Sequence, residues 1–366
     1  MTQPGKSGNM NFSTTFKNKK VFLTGHTGFK GAWMSIWLSE LGAIVKGYAL
    51  TPERPSLYRL ISGNLKRHTS VIADIRNQQK VAKEMLDFNP DFVFHMAAQP
   101  LVRTSYEIPL ETFDINVMGT AHVLDAVKQL KKKCVVVIVT TDKVYKNPEN
   151  GIPFKESDAL GGYDPYSASK AAAEIITDSY RLAFFNSLTY TKHKKSIASA
   201  RAGNVIGGGD FAKDRIIPDI IRALQDNTPV EVRNPSAVRP WQHVLEPISG
   251  YLSLAHSMTK DPVKFAGSYN FGPNIKDALP VETLVNLALK SWGSGNYISS
   301  PKQKAVHEAG LLKLNISKAA NELHWKPKWN AKTAIEKSVA WYKENLNSKG
   351  NSYQLCLNTI SAYIKK

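Results

Sequence analysis

The chain has 366 residues, 42% apolar and 21% charged, with a formal net charge of +18. This is the composition of an ordinary globular protein with enough chain for a large core, in one big domain or two. Its two cysteines, Cys134 and Cys356, make neither a disulfide framework nor a metal site. The positive charge is dispersed: the tightest runs, KNKK (17–20), KKK (131–133) and KHKK (192–195), flank predicted strands. No nucleic-acid partner is expected, and an anionic small substrate is the more economical reading. The first twenty residues lack the apolar core of a signal peptide, and CVVVIV (134–139) is too short to span a bilayer. No membrane association and a cytoplasmic location are the expectations.

In chain order, KVFLTG (20–25) reads as a strand and GAWMSIWLSELG (31–42) as a helix with a glycine stop. AIVKGYAL (43–50), SVIADI (70–75), DFVFHMAA (91–98) and CVVVIVTT (134–141) continue the strand series. Helices are expected over 77–88 and 110–130, and another strand at 196–207. Alternating β and α units imply an α/β fold, a Rossmann-type doubly wound parallel sheet covered on both faces. After about residue 208 the pattern loosens into a smaller mixed α/β substrate-binding lobe. It carries a helix near Pro218, an FGPN turn (271–274), helices near 281–291 and 332–346, and a terminal helix. Residues 18–207 are expected to form the dinucleotide-binding unit, with 235–262 returning to it. Residues 208–234 and 263–350 form the lobe, and 1–17 are a polar extension.

TGHTGFKG places Gly25, Gly28 and Gly31 between a strand and a helix. Glycines there allow a tight turn and a close backbone approach to a pyrophosphate, whose charge the helix N-terminus stabilises. No acid stands at the end of the second strand before Glu53, so the ribose rule does not choose between NAD and NADP. Asp74 is a candidate for the adenine amino group or a cap for the next helix.

Tyr166 and Lys170, in YSASK, stand one helical turn apart on one face. An ammonium beside a phenol favours the phenolate, which can take a proton from a sugar hydroxyl as hydride leaves. Just upstream, TTDKVY adds the Thr141 hydroxyl and an acid–amine pair, Asp142 and Lys143.

With these motifs the chain resembles the extended branch of the short-chain dehydrogenase/reductase superfamily from about residue 19 to 345, in TGHTGFKG, HMAAQ, NVMGT, TTDKVY and YSASK. Within that branch HMAAQPLVR, GGYDPYS, RAGNVIGGGDFAKDRIIPDI and RPWQHVLEPISGYL are similar to the CDP-glucose 4,6-dehydratase family. The resemblance implies NAD as cofactor and CDP-glucose as substrate. Its product, CDP-4-keto-6-deoxyglucose, serves deoxysugar biosynthesis for O-antigen and lipopolysaccharide. It also implies cofactor contacts at Gly25, Gly28, Phe29, Lys30, Gly31, Asp74, Ile75, Ala97, Ala98, Gln99, Asn116, Tyr166 and Lys170. The catalytic set it implies is Thr141, Asp142, Lys143, Tyr166 and Lys170, with no metal.

The related dTDP-sugar enzymes carry Thr-Asp-Glu where this chain has Thr141, Asp142 and Lys143, so the resemblance leaves the base open. Asp142 must be protonated to act as acid, which burial would favour; Lys143 must be neutral to act as base. For the substrate diphosphate Arg239 is the first choice, with Arg215 and Arg233 behind it, and Asn204 is expected at the diphosphate or the sugar. Trp241 and His243 read as packing residues. The alternatives are an epimerase, a dehydratase for another nucleotide-hexose, or a non-catalytic nucleotide-sugar-binding protein. Helices 110–130 and 165–185 could pair across a two-fold axis, so a homodimer or tetramer is expected.

Overall fold

A computed structural model describes residues 12–299, 312–347 and 351–366, so most of the polar extension and parts of the predicted lobe lie outside the described residues. Seven parallel strands form the main sheet: β1 Lys20–Thr24, β2 Ile44–Ala49, β3 His68–Ile72, β4 Phe92–His95, β5 Cys134–Val139, β6 Lys195–Ala202 and β7 Ser268–Phe271. Their order is β3-β2-β1-β4-β5-β6-β7. The order reverses between β1 and β4, the switch point at whose carboxyl end such sheets bind ligands.

The central strands β1, β4 and β5 are buried on both faces, which is why they read as continuous apolar runs, whereas the edge strand β3 is largely exposed. Side chains alternate between two cores. Val135, Val137 and Val139 of β5 join Val21, Leu23, Phe92 and Phe94 in one. Cys134, Val136 and Ile138 join Phe22 and Val93 in the other. Helices α1 Phe29–Glu40, α2 Gln78–Phe88, α3 Gly119–Gln129 and α4 Pro165–Ala183 connect the strands. The cap of α2 is Asn77, whose side chain accepts the Lys80 N–H at 2.9 Å; Asp74 does not cap it.

Two expectations need correction. The stretch 110–130 is not one helix: a short helix at Pro109–Phe113 passes through a π-helical turn at Asp114–Met118 into α3. Asn116, in that wider turn, points inward and hydrogen-bonds across to Gln99 and Ser169. Also, not all of 263–350 lies apart from the large unit, because Ser268–Phe271 is its seventh strand, paired in parallel with β6. A four-residue strand whose partner lies some seventy residues upstream leaves little local signal.

The smaller lobe contains α5 Ile216–Gln225, α7 Val281–Trp292 and α8 Ala331–Asn347, with two-stranded pairs 230–232/297–299 and 238–239/279–280. Helix α6 Leu245–Lys260 packs on the main sheet. Its buried Glu246 accepts the backbone N–H of Trp329 at 2.7 Å and the hydroxyl of Tyr363 at 2.7 Å, fixing the terminal helix α9 Ser352–Lys365. Among the described residues, no helix is long and apolar enough to cross a membrane.

Candidate active site

The glycine loop closes on the protein at two glycines and opens at the third. Gly25 has φ +74°, and a Cβ on it would lie 2.7 Å from the Ala97 nitrogen. A Cβ on Gly31 would lie 2.1 Å from the Gly25 carbonyl oxygen. Gly28 is exposed, and a Cβ on it would meet only that same oxygen, at 3.4 Å. Gly28 precedes α1 and gives it no side-chain cap, so the first-turn N–H groups have no acceptor within the helix. A solvent-facing, uncapped helix N-terminus at the switch point fits a dinucleotide pyrophosphate.

The other predicted cofactor residues line the same end of the sheet but differ in what they offer. Ala97 and Ala98 follow β4 beside Gly25, half-buried. Ile75 is buried against Gly119. Asn116 is fully buried with both ends of its amide on protein partners: it accepts from the Gln99 N–H (2.9 Å) and donates to the Gln99 carbonyl (3.1 Å) and Ser169 (2.9 Å). Gln99 and Asn116 therefore brace the cleft wall and hold the loop after β4 against α4. Asp74 turns to Arg76, which forms an ion pair with it at 2.6 Å and holds its carboxyl below the usual range. Phe29 reaches toward Gly207, where an added Cβ would lie 3.1 Å from its ring.

Helix α4 begins where the sequence dictates. The Asp164 side chain accepts the Ser167 N–H at 2.9 Å and Pro165 takes the first helical position. This puts Tyr166 in the first turn and Lys170 one turn on, both buried. Burial pushes the Tyr166 phenol up to about 12, although a hydrogen bond with Thr141 favours its ionised form. This runs against the expected lowering by Lys170. The ammonium itself is buried and pushed down to about 8, and its side-chain hydrogen bond goes to the Val139 carbonyl at 3.3 Å.

Thr141 links the redox pair to the acid. Its hydroxyl donates to Asp142 at 3.0 Å, accepts from the Lys143 N–H at 3.4 Å and pairs with Tyr166. Asp142 is buried, and burial raises its carboxyl pKa despite the pull of Lys143, Thr141, Lys30 and Arg239. Lys30 reaches the same centre: burial, Arg215 and Lys170 lower it to about 8, and its amine lies 3.4 Å from the Tyr251 hydroxyl.

The arginines divide. Arg239 acts on Asp142, and Arg215 acts on Lys30 and Tyr166, so both belong to the centre. Arg233 pairs with Asp214 at 2.7 Å on the surface. Asn204 is half-buried between β6 and the short strand Val205–Ile206. Trp241 and His243 are packing residues: His243 is neutral through burial and meets Trp33 and Trp329 edge-on, and Trp241 is buried.

Two residues escaped the sequence reading. Tyr251 of α6 is fully buried beside Lys30 and near Tyr166 and Asp142, brought there only by packing of distant elements. Gly203 ends β6 directly over the acid: a Cβ on it would lie 2.7 Å from Asp142 Oδ2. A glycine at a strand end signals close approach, though not to what. A small cleft here is lined by Asp142, Gly203, Pro240, Gly272, Pro273 and Lys313. Gly203→Ala should displace the carboxyl and lower turnover by roughly 10–100-fold. An unchanged turnover rate would show that this contact does not set the acid's position.

Comparison with known proteins agrees with this architecture. The GDP-mannose 4,6 dehydratase family profile matches residues 22–338. A CDP-glucose 4,6-dehydratase of Salmonella typhimurium is 48% identical over 331 residues, covering 90% of this chain and 91% of that protein. A CDP-paratose 2-epimerase of Salmonella typhi is 25% identical, over 88% of this chain and 98% of that one. Among solved structures, a UDP-glucose 4-epimerase of Thermus thermophilus in complex with NAD superposes with a TM-score of 0.73 at 22% identity, covering 88% of this chain and 99% of that one. An epimerase of Methanothermobacter thermautotrophicus gives 0.75 at 20% identity, over 93% and 96%. With a family match over most of its length and a relative at nearly half identity, the chain belongs to the GDP-mannose 4,6 dehydratase family.

Proposed function

We propose that the protein is an NAD-dependent hydro-lyase that converts CDP-glucose to CDP-4-keto-6-deoxyglucose. The observation that carries this reading is a buried acid, Asp142, joined through the Thr141 hydroxyl to Tyr166. An epimerase needs the phenol and the hydroxyl but has no water to expel. The choice of cytidine over another nucleotide follows the Salmonella typhimurium relative.

NAD fits the open Gly28 face and the uncapped start of α1. Bound there, it would supply a hydride acceptor for carbon 4 of the sugar and a hydride donor for carbon 6. Tyr166 takes the proton of the carbon 4 hydroxyl, which Thr141 positions, and Lys170 stabilises the phenolate as an ammonium. The resulting ketone acidifies the carbon 5 proton, and Lys143, beside Asp142, is the candidate base. Asp142 protonates the departing carbon 6 hydroxyl, a task favoured by the burial that raises its carboxyl pKa. Arg239 and Arg215 receive the diphosphate, and Asn204 the sugar.

Such a product serves deoxysugar synthesis for surface polysaccharides such as lipopolysaccharide O-antigen, a cytoplasmic task. Leu110 on the short helix before the π turn and Ile175 and Leu182 on α4 are exposed apolar side chains that support a homodimer or tetramer through these helices. Sedimentation equilibrium should give at least two copies; a monomer would contradict it. The activity is tested with purified protein, NAD and a panel of CDP-, dTDP-, UDP- and GDP-hexoses. A 4-keto-6-deoxy product from CDP-glucose is expected, whereas a 4-epimer formed without loss of water would assign an epimerase.

A further inference from the structure

Tyr166, Lys170 and Glu174 recur at four-residue spacing along α4, and all three are buried. The proposed reaction uses the first two. A buried carboxylate is costly unless paired, so Glu174 requires its own account. Its side chain is 2% exposed and bonds to Arg201 of β6, 4% exposed, at 2.9 Å. Ser199 of β6 donates to the same oxygen at 2.7 Å, and Thr140, at the end of β5, donates to the other.

Arg201 carries the connection onward. Its Nη1 donates to the Tyr145 hydroxyl at 2.9 Å and the Glu156 carbonyl at 3.0 Å, and its Nη2 reaches Ser268 of β7 at 3.2 Å. Tyr145 donates to Asn270 Oδ1 at 2.7 Å, and the Asn270 amide donates to the carbonyls of Phe154 (3.0 Å) and Asn315 (3.2 Å). One carboxylate thus fastens α4 to β5, β6 and β7, and through Tyr145 and Asn270 to the segments that cover the cleft.

The clamp sits beside the lysine. The Lys170 ammonium donates to the Val139 carbonyl, and the next residue, Thr140, is the one that Glu174 holds. The ionisable groups around that ammonium are Tyr166 and Glu174 on its own helix, Lys30 on α1 and His95 on β4, the last neutral through burial. Glu174 is the carboxylate that acts on Lys170, and it opposes the lowering that burial imposes.

We propose that Glu174 is a positioning residue for the Tyr166–Lys170 pair: locked by Arg201, Ser199 and Thr140, it docks α4 on the strand ends and fixes a carboxylate one turn from Lys170. The proposal rests on the hydride-transfer roles given above to Tyr166 and Lys170.

The test uses Glu174→Gln and, because that change leaves a guanidinium unpaired in the core, the double variant Glu174→Gln, Arg201→Gln. Both are read in an Asp142→Asn background, where the acid does not titrate, as the rate of bound NADH formation from CDP-glucose against pH. Loss of the carboxylate charge should move the alkaline limb of this oxidation to lower pH by about one unit or more in both variants. The KM for CDP-glucose should not change, and Glu174→Asp should restore part of the limb. In cofactor-free protein the phenolate absorbance that Tyr166→Phe removes should titrate at higher pH than in the parent. A folded double variant with the parent limb and the parent phenolate titration overturns the proposal. Failure of the underlying reading is distinct: Tyr166→Phe would then leave NADH formation intact.

Discussion

Tyr166→Phe is expected to lower turnover of CDP-glucose by about 10²–10⁴-fold, the scale of a lost general acid–base group. Only the phenol oxygen is removed. The ring stays packed, and Thr141 keeps its bond to Asp142 at 3.0 Å. The melting temperature should therefore move by no more than the loss of one hydrogen bond, about 1 kcal/mol. The defect should lie in the first step, so single-turnover mixing should show no burst of reduced cofactor. A variant within about tenfold of wild type would remove Tyr166 from the principal role.

Asp142→Asn should separate oxidation from elimination. The amide has nearly the shape of the acid but cannot protonate a leaving hydroxyl. Tyr166 and Lys170 keep their places, so oxidation at carbon 4 should survive while the 6-deoxy product falls by about 10²-fold or more. Bound reduced cofactor should then accumulate on mixing with CDP-glucose, which absorbance reads directly. The carboxyl also predicts a pH dependence. Its folded pKa is raised by burial, so the protonated acid is lost, and activity with it, as pH rises through that value. Stability follows the same sign: the contribution is full below the unfolded pKa and is lost as pH rises through the folded one. Asn cannot ionise, so the variant should gain thermal stability relative to wild type on going from acidic to alkaline buffer. Product formation at the wild-type rate would make Asp142 and Lys143 a structural pair at a strand end.

Most of the scaffold was legible because its signals are local. β1, β4 and β5 announce themselves as apolar runs, the glycine loop sits between a strand and a helix, and Asp164–Pro165 marks the start of α4. Tyr166 and Lys170 stand out by their four-residue spacing beside the glycine loop, whereas the parts given to Asp142 and Lys143 come from the resemblance. What stayed hidden depends on contacts between distant segments. β7 is short and partly polar, and only its pairing with β6 makes it a strand. Gly203 is ordinary in sequence, and its closeness to Asp142 comes from β5 and β6 ending side by side. Glu174 looks like one more polar helix residue until Arg201 is seen opposite it. Arg233, near a predicted substrate loop, carries a surface ion pair with Asp214 that the sequence does not announce. The direction for Tyr166 is opposite to the expected one, because burial outweighs the Thr141 hydrogen bond and the Arg215 charge, a balance that spacing does not reveal.

The central claim is a redox-neutral dehydration in which hydrogen taken from carbon 4 returns at carbon 6 of the same sugar. Its most direct test is to supply CDP-glucose carrying deuterium at carbon 4 and to locate the label in the product by NMR. The account predicts deuterium at carbon 6, and in deuterated water with unlabelled substrate one solvent deuteron at carbon 5. Label retained at carbon 4, in a sugar that has kept its carbon 6 hydroxyl, would contradict the account and make the protein an epimerase.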